Sequence, residues 1–178
     1  AHTLIATATA SASATLSFTL GLDSLYDAYE FRFMNMHPAS SNQPFGFQVN
    51  AAGASGFNEV MTTTAFQAWH TENNSGAALG YETGIDQAQG TAYQVLTTGV
   101  GNDNDSAASG ILTLYAPSST TYVKHFTSRL QASSSVGSVE KYIAGYINVT
   151  AAIDEISFKF SSGNIDAGVI KMYGIAKA

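Results

Sequence analysis

The chain has 178 residues, with 7 Lys and Arg against 13 Asp and Glu for a net charge of −6, and charged residues make up only 11% of it. Its 10 Phe, 9 Tyr and 1 Trp supply the apolar area of a genuine core, which excludes a disordered chain, and the lack of cysteine excludes a disulfide scaffold. The basic residues Arg32, Lys124, Arg129, Lys141, Lys159, Lys171 and Lys177 stand singly, so no nucleic-acid partner is expected.

The elements read in chain order are nearly all strands. Residues 6–15 run Ala-Thr-Ala-Thr-Ala-Ser-Ala-Ser-Ala-Thr. Extended, this segment puts Ala6, Ala8, Ala10, Ala12 and Ala14 on one face and hydroxyls on the other. Its small side chains carry too little bulk to anchor a core, so residues 1–15 read as an extended arm lying on a neighbouring subunit. The small-residue run resembles a secretory cleavage region, but no basic residue precedes Arg32 and the apolar run is broken at every second place. No stretch approaches the roughly 20 apolar residues of a membrane span, and no membrane partner is expected.

Leu16, Phe18 and Leu20 continue the extended pattern to a turn at Gly21-Leu22-Asp23-Ser24. Tyr29, Phe31 and Phe33 alternate with Glu30, Arg32 and Met34, the mark of a half-buried strand. Met36-His37-Pro38 reads as the start of a loop, since proline donates nothing to a ladder. Further strands are expected at Phe45–Val49, Ala65–His70, Ala77–Glu82, Ala92–Thr98, Gly110–Tyr115, Thr121–Phe126, Ser128–Ala132, Tyr142–Thr150, Ser157–Phe160 and Val169–Tyr173. Helical period is confined to single turns at Asp23–Ala28 and Ala151–Glu155. About ten short strands with Gly/Ser/Asn punctuation predict an all-β, single-domain β-sandwich. A strand count above seven, without the immunoglobulin Cys…Trp…Cys pattern, favours a jelly-roll-like form.

The motifs that carry chemistry are absent or mis-spaced. Asp103-Asn104-Asp105 lacks the later ligands of a calcium loop. His2, His37, His70 and His125 show no metal spacing. Gly53-Ala54-Ser55-Gly56 has the wrong spacing for a nucleophile elbow. Asp154 and Glu155 are neighbours, so in a strand they face opposite ways and cannot act on one bond. Gly163-Asn164-Ile165-Asp166-Ala167-Gly168 precedes no helix and is no phosphate loop. No catalytic residue, metal or cofactor is expected. Trp69 and Tyr81, with Tyr93, are the candidates for stacking on a sugar ring. Asn73-Asn74-Ser75 and Asn148-Val149-Thr150 match the glycosylation tripeptide.

Three stretches carry a resemblance. Gly21-Leu22-Asp23-Ser24-Leu25-Tyr26-Asp27-Ala28-Tyr29-Glu30-Phe31-Arg32-Phe33, Leu114-Tyr115-Ala116-Pro117-Ser118-Ser119-Thr120-Thr121-Tyr122-Val123-Lys124-His125-Phe126 and the segment from Ile156 to Ile175 resemble virion structural proteins of tailed bacteriophages, particularly marine and cyanobacterial ones. The resemblance implies a component of the virion with no catalytic residues to carry over. Composition suits that role: Ala, Ser, Thr and Gly total 81 residues, giving a polar but weakly charged surface of the kind that favours permanent assembly. The first reading is therefore a self-associating particle protein, trimeric and seated beside partners such as the major capsid protein, with Ala6, Ala8, Ala10, Ala12, Ala14 and Leu16 packed on a neighbour. The second is a lectin-like module binding a host glycan through Trp69 and Tyr81.

Overall fold

The computed structural model describes residues 1–134 and 137–176; Lys177 lies outside them. In chain order the strands are β1 (His2–Thr9), β2 (Leu16–Phe18), β3 (Ala28–Pro38), β4 (Gln43–Ala51), β5 (Met61–Thr71), β6 (Ala77–Tyr81), β7 (Gln94–Val100), β8 (Ala108–Tyr115), β9 (Lys124–Ser134), β10 (Gly137–Ile147), β11 (Ile153–Phe160) and β12 (Ile165–Ile175). They form an eight-stranded sheet, β1-β12-β3-β8-β9-β10-β5-β6, and a four-stranded sheet, β2-β11-β4-β7, antiparallel throughout. Eight of the strands pair as β1–β12, β2–β11, β3–β8 and β4–β7, outermost with outermost. One long folded hairpin rolled into a sandwich gives this connectivity, the jelly roll. The β5–β6 and β9–β10 hairpins are insertions that widen one sheet to twice the width of the other.

Period-2 patterning decides which side chains lie between the sheets. Phe31 and Phe33 from β3, Phe45 and Phe47 from β4, and Phe158 and Phe160 from β11 are all essentially buried. Phe158 is the hub, with ring centroids of Phe31 and Phe33 at 5.4 and 5.2 Å and those of Phe18, Phe45 and Phe47 at 6.3–6.4 Å. Edge-to-face and tilted rings at these distances add roughly 0.5–1.5 kcal/mol per pair to the area they bury.

His2–Thr9 is a strand of this chain's own sheet, paired with β12. Ala6 and Ala8 pack against the core and Ala10 is buried in it. Small side chains are what a strand at this margin needs, because β12 and β2 leave little depth beneath it. The alternation stops at Ala12, whose φ of 50° turns the chain from the wide sheet to the narrow one, where Leu16 and Phe18 enter the core. Ala12 and Ala14 are exposed on that corner.

Other boundaries moved for local reasons. Pro38 is the last residue of β3, a place where a missing N–H costs no ladder bond. The expected strands 121–126 and 128–132 are one strand, β9, with Thr127 on its outer side. No helix occurs among the described residues. Residues 23–27 form a bend: the Asp23 carboxylate accepts from the Leu25 N–H at 2.8 Å and from the Tyr29 hydroxyl at 2.7 Å. The Tyr26 ring, from the same bend, lies so close over Gly174 that a Cβ there would collide with it.

Two lysines are buried. Lys124 donates from Nζ to the carbonyls of Tyr122, Val149 and Thr150 at 2.8–3.1 Å, pinning the start of β9 to the β10–β11 connection. Burial lowers its pKa. Lys141 lies on the inner side of β10 and donates to Gln67 Oε1 and to the Glu82 carboxylate at 3.3 Å. Burial lowers its pKa too, and Glu82 opposes the shift.

Phe158→Ala is expected to destabilise the chain by about 3–5 kcal/mol in urea denaturation, since no neighbour can refill the hub. Burial and the Asp23 carboxylate push the Tyr29 hydroxyl pKa up to about 12. A raised pKa stabilises fully below the unfolded value of 10.0 and the contribution is lost as pH rises through the folded value. Stability should therefore fall between pH 10 and 12. Tyr29→Phe should flatten that part of the fall, as measured by urea midpoints across the range.

Candidate functional site: the outer face of the wide sheet

Register aligns side chains from strands far apart in the sequence. Lys171 on β12 lies opposite Arg32 on β3, Arg32 opposite Ile111 on β8, and Ile111 opposite Arg129 on β9. Arg129 faces Tyr142 on β10, Tyr142 faces Phe66 on β5, and Phe66 faces Tyr81 on β6. Cross-strand partners share a face, so these seven residues make one row across seven strands, on the side away from the narrow sheet. Phe66 and Tyr142 stack with centroids 4.7 Å apart and planes 6° from parallel. The Arg129 guanidinium sits over the Tyr142 ring at 5.4 Å and pairs with Glu140. Its pKa is raised by that carboxylate. Arg32 sits over Tyr173 at 4.7 Å and binds Glu30 Oε1 at 2.5 Å.

Parallel rows extend the face. Leu79 lies one row away and is 75% exposed, and Leu4, Tyr115 and Tyr81 are about half exposed. Thr62, Thr64, His125, Thr127, Ala144 and Tyr146 line a shallow, mainly apolar depression where β5 and β9 begin and β10 ends. Tyr and Arg are among the residue types that dominate protein–protein hot spots. The two arginines lie over aromatic rings and pair with glutamates, so neither would be buried as an unpaired charge.

The narrow sheet is covered on its far side at β4. Gln48 on β4 is fully buried and its amide donates to the carbonyls of Glu59, Thr91 and Ala92. These bonds tie two loops across β4, leaving the wide sheet as the face that stays open.

The expected sugar-stacking pair is split. Trp69 pairs with Ala78 and points to the inner side of the β5–β6 hairpin, against Gly76, whereas Tyr81 lies on the outer side beside Phe66. A shallow cleft around Trp69 also takes in His70, Ala77, Ser138 and Glu140. Tyr93 lies under Lys159, with Nζ at 4.2 Å from its ring centre. Asn148 donates to Gln89 Oε1, and Asn73 Oδ1 accepts from Ser75 N–H.

Asn104 and Asp105 line a polar cleft with Asn35, His37 and Asp166. Here β3 and β12 both slip register and Asn35 takes a φ of 52°. His37 Nδ1 lies 2.7 Å from the Ser106 carbonyl, which assigns the proton to Nδ1. Among the described residues no three His, Cys, Asp or Glu side chains are placed to hold a metal ion. Glu155 accepts from Asn50 Nδ2 and Asp154 sits at a register shift of β11.

Comparison with protein-family models, curated proteins and solved structures finds no match.

The aromatic row is too exposed to matter much for folding. Replacing Ile111 and Tyr81 together by Thr is expected to leave unfolding free energy within about 1 kcal/mol of the parent in dilute solution, as urea denaturation will show.

Proposed function

We propose that the chain is a self-associating structural component of a bacteriophage particle, built to bury the outer face of its wide sheet against other subunits. The observation that carries the reading is the row of Ile111, Arg129, Tyr142, Phe66 and Tyr81 aligned across five adjacent strands, in which Ile111, Phe66 and Tyr81 are exposed and Arg129 lies over the half-buried Tyr142 ring. Contiguous apolar surface of this kind marks an interaction site on a soluble domain. Jelly-roll connectivity, frequent among capsid proteins, supports the same reading. So does the likeness of the 21–33, 114–126 and 156–175 segments to phage virion proteins.

The role for the opening segment changes with its placement. Ala6, Ala8 and Ala10 face this chain's own core, so a neighbour would meet Ala12 and Ala14, the hydroxyls of Thr7 and Thr9 and the free edge of β1. Placement on the particle surface, beside the major capsid protein and in trimers, belongs to the same proposal. Tyr81, with Phe66 and Tyr142 beside it, gives the host-glycan reading a stacking surface that the pair Trp69 and Tyr81 does not.

Sedimentation velocity decides between association and a free module. The parent chain should form discrete oligomers, and Phe66→Glu with Ile111→Glu should return it to the monomer with its strand content unchanged by circular dichroism. A monomeric parent that binds a glycan array, with binding lost in Tyr81→Ala, would replace the structural reading by the lectin one.

A further inference from the structure

A sheet that is not closed into a barrel has edges, and each edge displays unpaired N–H and C=O groups. The two sheets have four: β1, β6, β2 and β7. Three are blunted. The β1 ladder shifts register between Leu4 and Ala6, β2 is three residues long, and the β7 ladder shifts register twice. Bulges and brevity are the usual protections against edge-to-edge pairing. The fourth edge, β6, has none. Its five residues, Ala77-Ala78-Leu79-Gly80-Tyr81, are all exposed, carry no charge and no proline, and pair with β5 in unbroken register.

The register also fixes which backbone groups are free. Thr71 N–H donates to Gly76 O and Glu82 N–H to Ala65 O, each 2.9–3.0 Å. Bonded pairs alternate along an antiparallel ladder, so Ala78 and Gly80 face β5, while the N–H and C=O of Ala77, Leu79 and Tyr81 point away from the sheet.

We infer that β6 pairs with β6 of a second copy, antiparallel about a two-fold axis at Leu79, joining two wide sheets into one continuous sheet. This inference rests on the self-association proposed above and adds to the face contact a second, two-fold contact at the sheet edge. The sequence of the edge is complementary to itself under that axis. Leu79 meets Leu79, and the large ring of Tyr81 lies opposite the small Ala77, three pairs that exchange two hydrogen bonds each. Side chains of all three lie on the outer side, so the two aromatic faces become one surface. The nearest charge in the ladder, Glu82, would fall opposite Gly76 of the other copy and is already engaged inward by Lys141 and Gln67. No like charges meet across the axis.

The backbone pattern supplies a test that side-chain packing does not. Amide exchange followed by NMR at tens-of-micromolar and millimolar protein should slow at least about tenfold at the higher concentration for Ala77, Leu79 and Tyr81. Ala78 and Gly80, already bonded to β5, should not change. Leu79→Pro removes an N–H that β5 does not use, so it should keep the fold and lose the contact; Leu79→Lys, which leaves the backbone intact, should do the same. Equal exchange at both concentrations, or association of both variants like the parent, would overturn the inference. Oligomers that survive both variants but dissolve in Phe66→Glu with Ile111→Glu would sink the edge contact alone, whereas a parent that is monomeric at every concentration sinks the wider reading as well. Slowing at Ala77, Leu79 and Tyr81 only on adding a foreign strand peptide would assign the edge to another protein.

Discussion

Two sheets of unequal width must share one core. A four-stranded sheet can cover four strands of its partner, so the wide sheet overhangs, and everything distinctive about the molecule follows from how that overhang is managed. Under the covered part lies the phenylalanine cluster around Phe158. Under the overhang a different chemistry takes over. Lys141, Gln67 and Glu82 hold one another, and Thr63, Gln87 and Gln94 form a linked set of side-chain hydrogen bonds. Most of these polar groups satisfy each other, which is the condition for burying them, and Gln87 Oε1 is the member of the set that accepts no hydrogen bond from the described residues.

The same constraint separates the two outer faces. Loops anchored by Gln48 close over β4, and nothing comparable crosses the wide sheet. What remains exposed is a broad surface whose arginines already lie on tyrosine rings and whose threonines add small polar groups. A face organised in advance loses little side-chain entropy when it is covered, and pre-organisation is what turns buried area into affinity. The particle-protein proposal takes its physical content from this point.

Much of the fold was legible because strand patterning has a short period. Tyr29-Glu30-Phe31-Arg32-Phe33 and Ile156-Ser157-Phe158-Lys159-Phe160 state their inner and outer sides directly. The opening alanines alternate as a strand up to Ala10, but the surface that Ala6, Ala8 and Ala10 cover is set by β12 and β2, which the segment itself does not name. Burial of Lys124 has no signal in Tyr-Val-Lys-His-Phe: Tyr122 O is local, but the other two acceptors, Val149 O and Thr150 O, come from a segment brought alongside only by the fold.

The candidate site was legible residue by residue and not as a site. Phe66, Ile111, Arg129 and Tyr142 are distant in sequence, and only register sets them in a row. Register also undid the pairing of Trp69 with Tyr81, because the turn at 72–76 sets the partner of Trp69 as Ala78 and leaves Tyr81 on the other side of the hairpin. Hydroxyl-radical footprinting of the parent chain across a concentration series tests the central claim most directly. Burial of the outer face predicts that Phe66, Ile111 and Tyr81 become protected as concentration rises while Leu20 and Leu25, exposed on the β2–β3 connection, keep reacting at the same rate. Uniform reactivity of all five across the series would contradict it.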